Sequence, residues 1–275
     1  MRIIVIVLCM MCQHVFAKNE IELTLPSQMD GGHVFYHELL YRALGDAGYT
    51  VTISVPQDHI PQKRATKMVE SNQLSLTWLI ETEERNQQYV PVKVPLTNGL
   101  IGKRVLLIPP QLQNEFNTIR NLKDLQDSGL IAGMGMQWYD VAIWQANQLP
   151  VHLEDGEWRA LYSKLTPKGD VNYFPRGMTE ILGEAAQNPH LAIEQRLLLN
   201  YEKDFYFYLS DEAAGYRQIL EQALKQAKNS GLIDRLVRKY WQQTYEQIKP
   251  DDRVVINLAL PCLLYTSDAA DEWIG

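Results

Sequence analysis

Cysteine is scarce in this chain, three in 275 residues, and none of the three falls in its body. Cys9 and Cys12 lie near the N-terminus and Cys262 near the C-terminus. Residues 18–261 therefore have no disulfide, no thiolate nucleophile and no cysteine metal site, and an ordinary core must stabilise them. Long apolar runs are missing too. The one candidate, residues 3–11, is nine residues long, short of the roughly 20 needed to span a bilayer. With Arg2 before it and Val15-Phe16-Ala17 after it, residues 1–17 read as a cleaved export signal, which predicts a periplasmic protein of a Gram-negative bacterium. An uncleaved anchor is the alternative.

The C-terminus lacks natural character. Residues 262–272 translate codon by codon from a transposon-type sequencing adapter (TGT CTC TTA TAC ACA TCT GAC GCT GCC GAC, then GA), so residues 262–275 read as a library artefact, excluded from fold reasoning. A natural acidic tail is the alternative. Residues 18–261 then carry 25 Lys/Arg against 30 Asp/Glu, a balance of −5. So mild an acidity argues against nucleic acid as a partner.

Catalytic signatures are absent as well: no His-Glu-x-x-His, no Gly-x-Ser-x-Gly, no Ser-x-x-Lys and no phosphate loop. His33 and His37 stand i, i+4 but have no third metal ligand at a suggestive spacing, so they read as a helix-surface pair. Glu180 and Glu184 share a helical spacing and read as carboxylates meeting water. The expectation is a non-enzyme with no catalytic residue, metal or cofactor.

What is present is an alternation of strand and helix patterns without repeats or linkers. Residues 21–25, 50–55 and 74–80 read as strands, with helices over 30–44 and 61–71 between them, which implies a parallel sheet with crossover helices. Residues 90–95 and 100–109 read as extended, the second long enough to pass between two lobes. Further helices are expected over 120–126, 138–147, 157–165 and 176–186, with strands over 129–132, 170–174, 192–199 and 205–209. Residues 211–228 and 232–245 form an amphipathic pair broken at Asn229-Ser230-Gly231.

Four stretches, in order, carry a likeness. They are Thr82-Glu83-Glu84-Arg85 with Tyr89-Val90-Pro91-Val92 and Pro95-Leu96; Asn121-Leu122-Lys123-Asp124-Leu125; Gly133-Met134-Gly135; and Ala223-Leu224, Ser230-Gly231-Leu232 and Lys239-Tyr240-Trp241. Over residues 20–245 the chain resembles the family 3 (type II) extracytoplasmic solute-binding proteins, whose familiar members are polar amino-acid receptors of ABC transporters. The resemblance implies a two-lobed α/β fold. Lobe 1 comprises 18–104 and 203–250, lobe 2 comprises 105–202, a tail runs over 251–261, and hinge strands cross near 100–109 and 192–209. It implies a monomer that closes around a small-molecule ligand, with a membrane permease as partner. By the same likeness Arg85 grips a ligand carboxylate. Gly135, Met136 and Gln137 would offer N–H groups at a helix start, and Trp78, Trp138, Tyr139 and Tyr173 would line the cleft. One departure stands out. The acid that binds the ligand ammonium in the family is expected near Pro175-Arg176, where Arg176 would instead favour an anionic ligand. A sensor or scaffold module, or a site that has lost its ligand, is the alternative.

Overall fold

The computed structural model describes residues 19–28, 31–136 and 138–261. The expected export signal, the adapter-like segment and Gln137 lie outside the described residues.

The first lobe grows from short strands that alternate in burial. β1 (Glu20–Thr24) places Ile21 and Leu23 in the core and pairs in parallel with β2 (Thr50–Ser54), Glu20 opposite Thr50. Between them α1 (Val34–Asp46) buries Phe35, Tyr36, Leu39, Leu40, Ala43 and Leu44, one face of a 3.6-residue repeat. α2 (Gln62–Glu70) leads to β3 (Leu76–Ile80), which is tied to β1 where Ser75 N–H donates to the Thr24 carbonyl at 2.8 Å. α3 (Glu83–Gln88) follows, and then β4 (Val90–Val92).

The chain now crosses to a second sheet. β5 (Lys103–Ile108) is its centre and is buried on both faces. Val105 and Leu107 enter one core, Leu106 and Ile108 another, so the strand reads as an unbroken apolar run. α4 (Gln113–Phe116) and α5 (Leu122–Asp127), the latter capped by Asn121, precede β6 (Ala132–Gly135). α6 (Tyr139–Ala146), β7 (Val151–Glu154), α7 (Leu161–Lys164), β8 (Phe174–Gly177), α8 (Ile181–Gln187), β9 (Ala192–Ile193) and β10 (Leu197–Asn200) complete the lobe. β5 runs antiparallel to β8, β9 and β10, and β6 pairs in parallel with β7. Gly133 N–H donates to the Tyr173 carbonyl at 2.9 Å, which attaches the β6–β7 pair beside β8.

β11 (Phe205–Leu209) returns the chain to the first lobe, antiparallel between β3 and β4. α9 (Arg217–Asn229) and α10 (Leu232–Ile248) pack there with α1. Gly231, left-handed at φ 72°, makes the turn between them, as the Asn-Ser-Gly break predicts. Among the described residues no helix is long and apolar enough to cross a membrane.

The two crossings touch. A Cβ on Gly102 would lie 1.9 Å from the Tyr201 carbonyl, so only glycine lets the outgoing strand pass the returning one. Beside it the buried Asp204 carboxylate accepts from the Thr97 N–H and hydroxyl, the Gly99 N–H at 2.8 Å and the Phe205 N–H at 2.7 Å. One side chain thus fastens both strands.

A third crossing departs from expectation. The segment expected as a tail forms β12 (Val254–Asn257), parallel to β10 at the edge of the second sheet. Arg253 anchors it, donating to the carbonyls of Ile248, Glu194 and Leu197. Two other expectations shift. The strand expected at 170–174 is β8, displaced to 174–177, and the helix expected from Arg176 begins at Ile181.

Candidate functional site

The cleft between the lobes has three neighbouring compartments, each lined in part by Glu180. The innermost, ≈ 310 Å³, has Tyr36, Thr77, Trp78 and Phe205 on the first lobe and Arg104, Gly177 and Thr179 on the second. A neighbour of ≈ 340 Å³ adds Arg85, Trp138, Tyr139, Asp140 and Arg176.

Arg85 lines the second of these compartments. Its N–H is capped by the Thr82 hydroxyl at 3.2 Å, which starts α3, and its Nη1 donates to the Ile80 carbonyl at 2.6 Å at the end of β3. Among the described residues it forms no ion pair. Its remaining donors suit a carboxylate. Trp78 also reaches the cleft, 6% exposed and stacked on Tyr36 at 4.4 Å between centroids.

Arg176 reaches the cleft as well, but its charge is spent. Its side chain is 8% exposed, and its Nε and Nη2 each donate to Glu184 at 2.6 Å, while Nη2 also meets Glu180. The guanidinium lies over three rings, Trp138 at 5.0 Å and Trp158 and Phe174 at 4.8 Å. Burial alone would ease its proton off, yet the two carboxylates keep it firmly protonated. Glu180 and Glu184, expected to meet only water, are instead its partners. Glu180 keeps 47% of its side chain exposed to the cleft. Enclosure between the lobes raises its pKa, Arg176 opposes that, and Glu184 adds to it.

Arg104 has no signal in the sequence. It forks onto Asp140, Nε–Oδ1 at 2.7 Å and Nη2–Oδ2 at 3.2 Å, and Tyr201 donates to the same carboxylate at 2.9 Å. Burial raises the Asp140 carboxyl, but Arg104 outweighs it and holds the group below the usual carboxylate range. The cleft therefore holds one balanced pair, Arg104–Asp140, and one cluster with a carboxylate in excess, Arg176 with Glu180 and Glu184. Among the described residues its one arginine with no ion pair is Arg85.

Two expected residues do not present themselves to a ligand. Tyr173 is fully buried on the opposite face of the sheet from Phe174, where its hydroxyl accepts from Trp144 Nε1 at 3.0 Å and its ring packs on Phe116. Strand alternation sends Tyr173 and Phe174 to opposite faces, into different cores. Gly135 is buried beneath the Trp138 indole, so that a Cβ would lie 2.6 Å from Trp138 Nε1. The N–H groups beside it are taken, Met136 by the Glu154 carbonyl at 2.9 Å and Trp138 by the Gly135 carbonyl at 3.0 Å. Of the expected nest, the Met136 N–H is therefore spent on β7. Trp138 itself lines the cleft, stacked on Phe174 at 5.8 Å. Gln137 lies outside the described residues. No group of three His, Cys, Asp or Glu among the described residues is placed to hold a metal ion.

Neither protein-family profiles nor curated protein sequences match this chain. Solved structures do. A binding component of an ABC transporter from Wolinella succinogenes, complexed with lysine, superposes with a TM-score of 0.54 at 15% identity, covering 82% of this chain and 96% of its own. The GluR0 ligand-binding core, complexed with L-glutamate, gives 0.53 at 13% identity, covering 80% and 98%. An amino-acid ABC transporter substrate-binding protein from Streptococcus pneumoniae, bound to L-arginine, gives 0.51 at 14%, covering 82% and 95%. At such identities the likeness is one of fold. The chain has the two-lobed α/β fold of these solute-binding structures.

Proposed function

We propose that the chain is an exported receptor that closes its lobes around a small molecule with an α-amino-acid head group and hands it to a membrane permease. The observation that carries this reading is Arg85, a cleft arginine with no ion pair among the described residues, sharing a compartment with the half-exposed Glu180 of the other lobe. A carboxylate suits the first and an ammonium the second. With the charge of Arg176 spent on Glu180 and Glu184, the dianionic ligand suggested by the sequence loses its second anchor. The superposed receptors above carry lysine, glutamate and arginine, which share that head group.

A thermal-shift panel of L-alanine, L-lysine, L-glutamate and succinate tests the reading. A ligand at 100 times its Kd adds about 2.7 kcal/mol to the folded state. At least one amino acid stabilises the chain, succinate does not, and Arg85→Ala or Glu180→Gln abolishes the shift. Stabilisation by succinate alone restores the anion reading. No shift with any of the four refutes the receptor assignment.

A further inference from the structure

The cleft does not end at Glu180. Past Gly32, Thr179 and Trp241 it opens into its largest compartment, ≈ 630 Å³. One wall is Phe35, Tyr240 and Trp241 of the first lobe, and the other is Trp158 and Tyr162 of the second. Rings pack within each wall, Phe35 on Trp241 at 4.8 Å and Trp158 against Tyr162 at 5.8 Å. None of the described rings of one wall packs on a ring of the other, so the space between them is open to a guest. α10 breaks its helical geometry at Trp241, the residue shared by the inner compartment and this groove.

Two of the charged groups along the groove are already committed. Glu184 holds Arg176, and Arg159 pairs with Glu157 at 3.1 Å at the rim. What the walls still offer is ring surface, which favours a flat apolar group by about 0.5–1.5 kcal/mol per stacked pair beyond simple burial. The groove shares Trp158, Arg176 and Glu180 with the compartment that holds Arg85, and each compartment alone falls within the usual ~300–1,000 Å³ of a small-molecule site. An amino acid as short as alanine leaves the groove empty.

Resting on the receptor reading above, we infer that the ligand is an α-amino acid with a long side chain ending in a flat, apolar group. Its head lies between Arg85 and Glu180 and its tail between the aromatic walls.

Calorimetric titration of the full chain with L-alanine and with Nε-benzoyl-L-lysine tests this, since both carry the same head and only the second carries such a tail. Nε-benzoyl-L-lysine binds at least about tenfold more tightly. Tyr240→Ala and Tyr162→Ala, one from each wall, remove most of that advantage and leave alanine binding unchanged. Melting curves establish that each variant is folded, and either variant alone suffices. Equal affinity for the two probes, or an advantage that survives both substitutions, overturns the inference and leaves the receptor reading standing. Failure of both probes to bind overturns the two together.

Discussion

Arg176 and Glu184 form a forked ion pair, with two nitrogens of one side chain 2.6 Å from the two oxygens of the other, on the wall of the interlobe cleft. That pair converts what reads in sequence as a ligand-binding cation into a fixture of the wall. Breaking such a largely buried pair from one side leaves an uncompensated charge and costs about 3–5 kcal/mol. Arg176→Leu lowers stability by that order in urea denaturation, and adding Glu184→Leu recovers most of the loss. A single substitution without effect would return Arg176 to the list of ligand anchors.

Arg253 holds the third crossing. Its partner Glu194 is fully buried and accepts from the N–H groups of Arg196 and Leu197, with Arg253 Nη1 3.7 Å away. Arg253→Ala therefore unfastens β12 before the rest of its sheet. Hydrogen exchange accelerates at Val254–Asn257, while β5 keeps its protection.

The hinge tolerates no side chain at Gly102. Gly102→Ala forces the Tyr201 backbone to move and costs about 3 kcal/mol or more, the upper range for overpacking. Gly45, in α1 with nothing within 4 Å of its missing Cβ, is the control. Gly45→Ala is neutral or stabilising by up to ~1 kcal/mol, the difference in helix propensity. Chemical denaturation distinguishes the two.

His37 makes stability pH-dependent. Burial and the neighbouring His33 push its imidazole down to about 4, against the Pro26 carbonyl, which favours the proton. The folded state thus prefers the neutral ring, whose unfolded pKa is about 6.5. Its contribution is complete above pH 6.5 and is lost as pH falls toward 4. Glu180, with a raised pKa, works in the opposite direction, so the comparison has to be made against a variant. The melting temperature falls between pH 7 and 5 in the native chain and falls less in His37→Gln.

Much of the fold was legible because local patterns decide it. Residues 21–25, 50–55 and 74–80 became β1, β2 and β3 within two residues, and the Asn229-Ser230-Gly231 break separates α9 from α10 as expected. The misses depend on distant partners. Pro175 reads as the end of a strand, with Arg176 in the helix that follows, yet Pro175 sits inside β8 opposite Leu106. Val254-Val255-Ile256 is strand-like on its face, but its partner β10 lies 57 residues upstream and nothing local announces the pairing. Of the cleft lining, Arg85 and Trp138 are among the residues the resemblance names. The pairing of Arg176 with Glu180 and Glu184 was not, because four-residue spacing means proximity only within a helix, and here a strand and a turn supply it.

Arg85 and Glu180 belong to different lobes, so a ligand gripped by both must draw the lobes together. Small-angle X-ray scattering of the full chain, with and without a saturating amino acid chosen from the thermal-shift panel, measures this directly. The radius of gyration falls on saturation, and in Arg85→Ala it does not. A radius unchanged under saturating ligand, or a contraction undiminished in Arg85→Ala, would contradict the account.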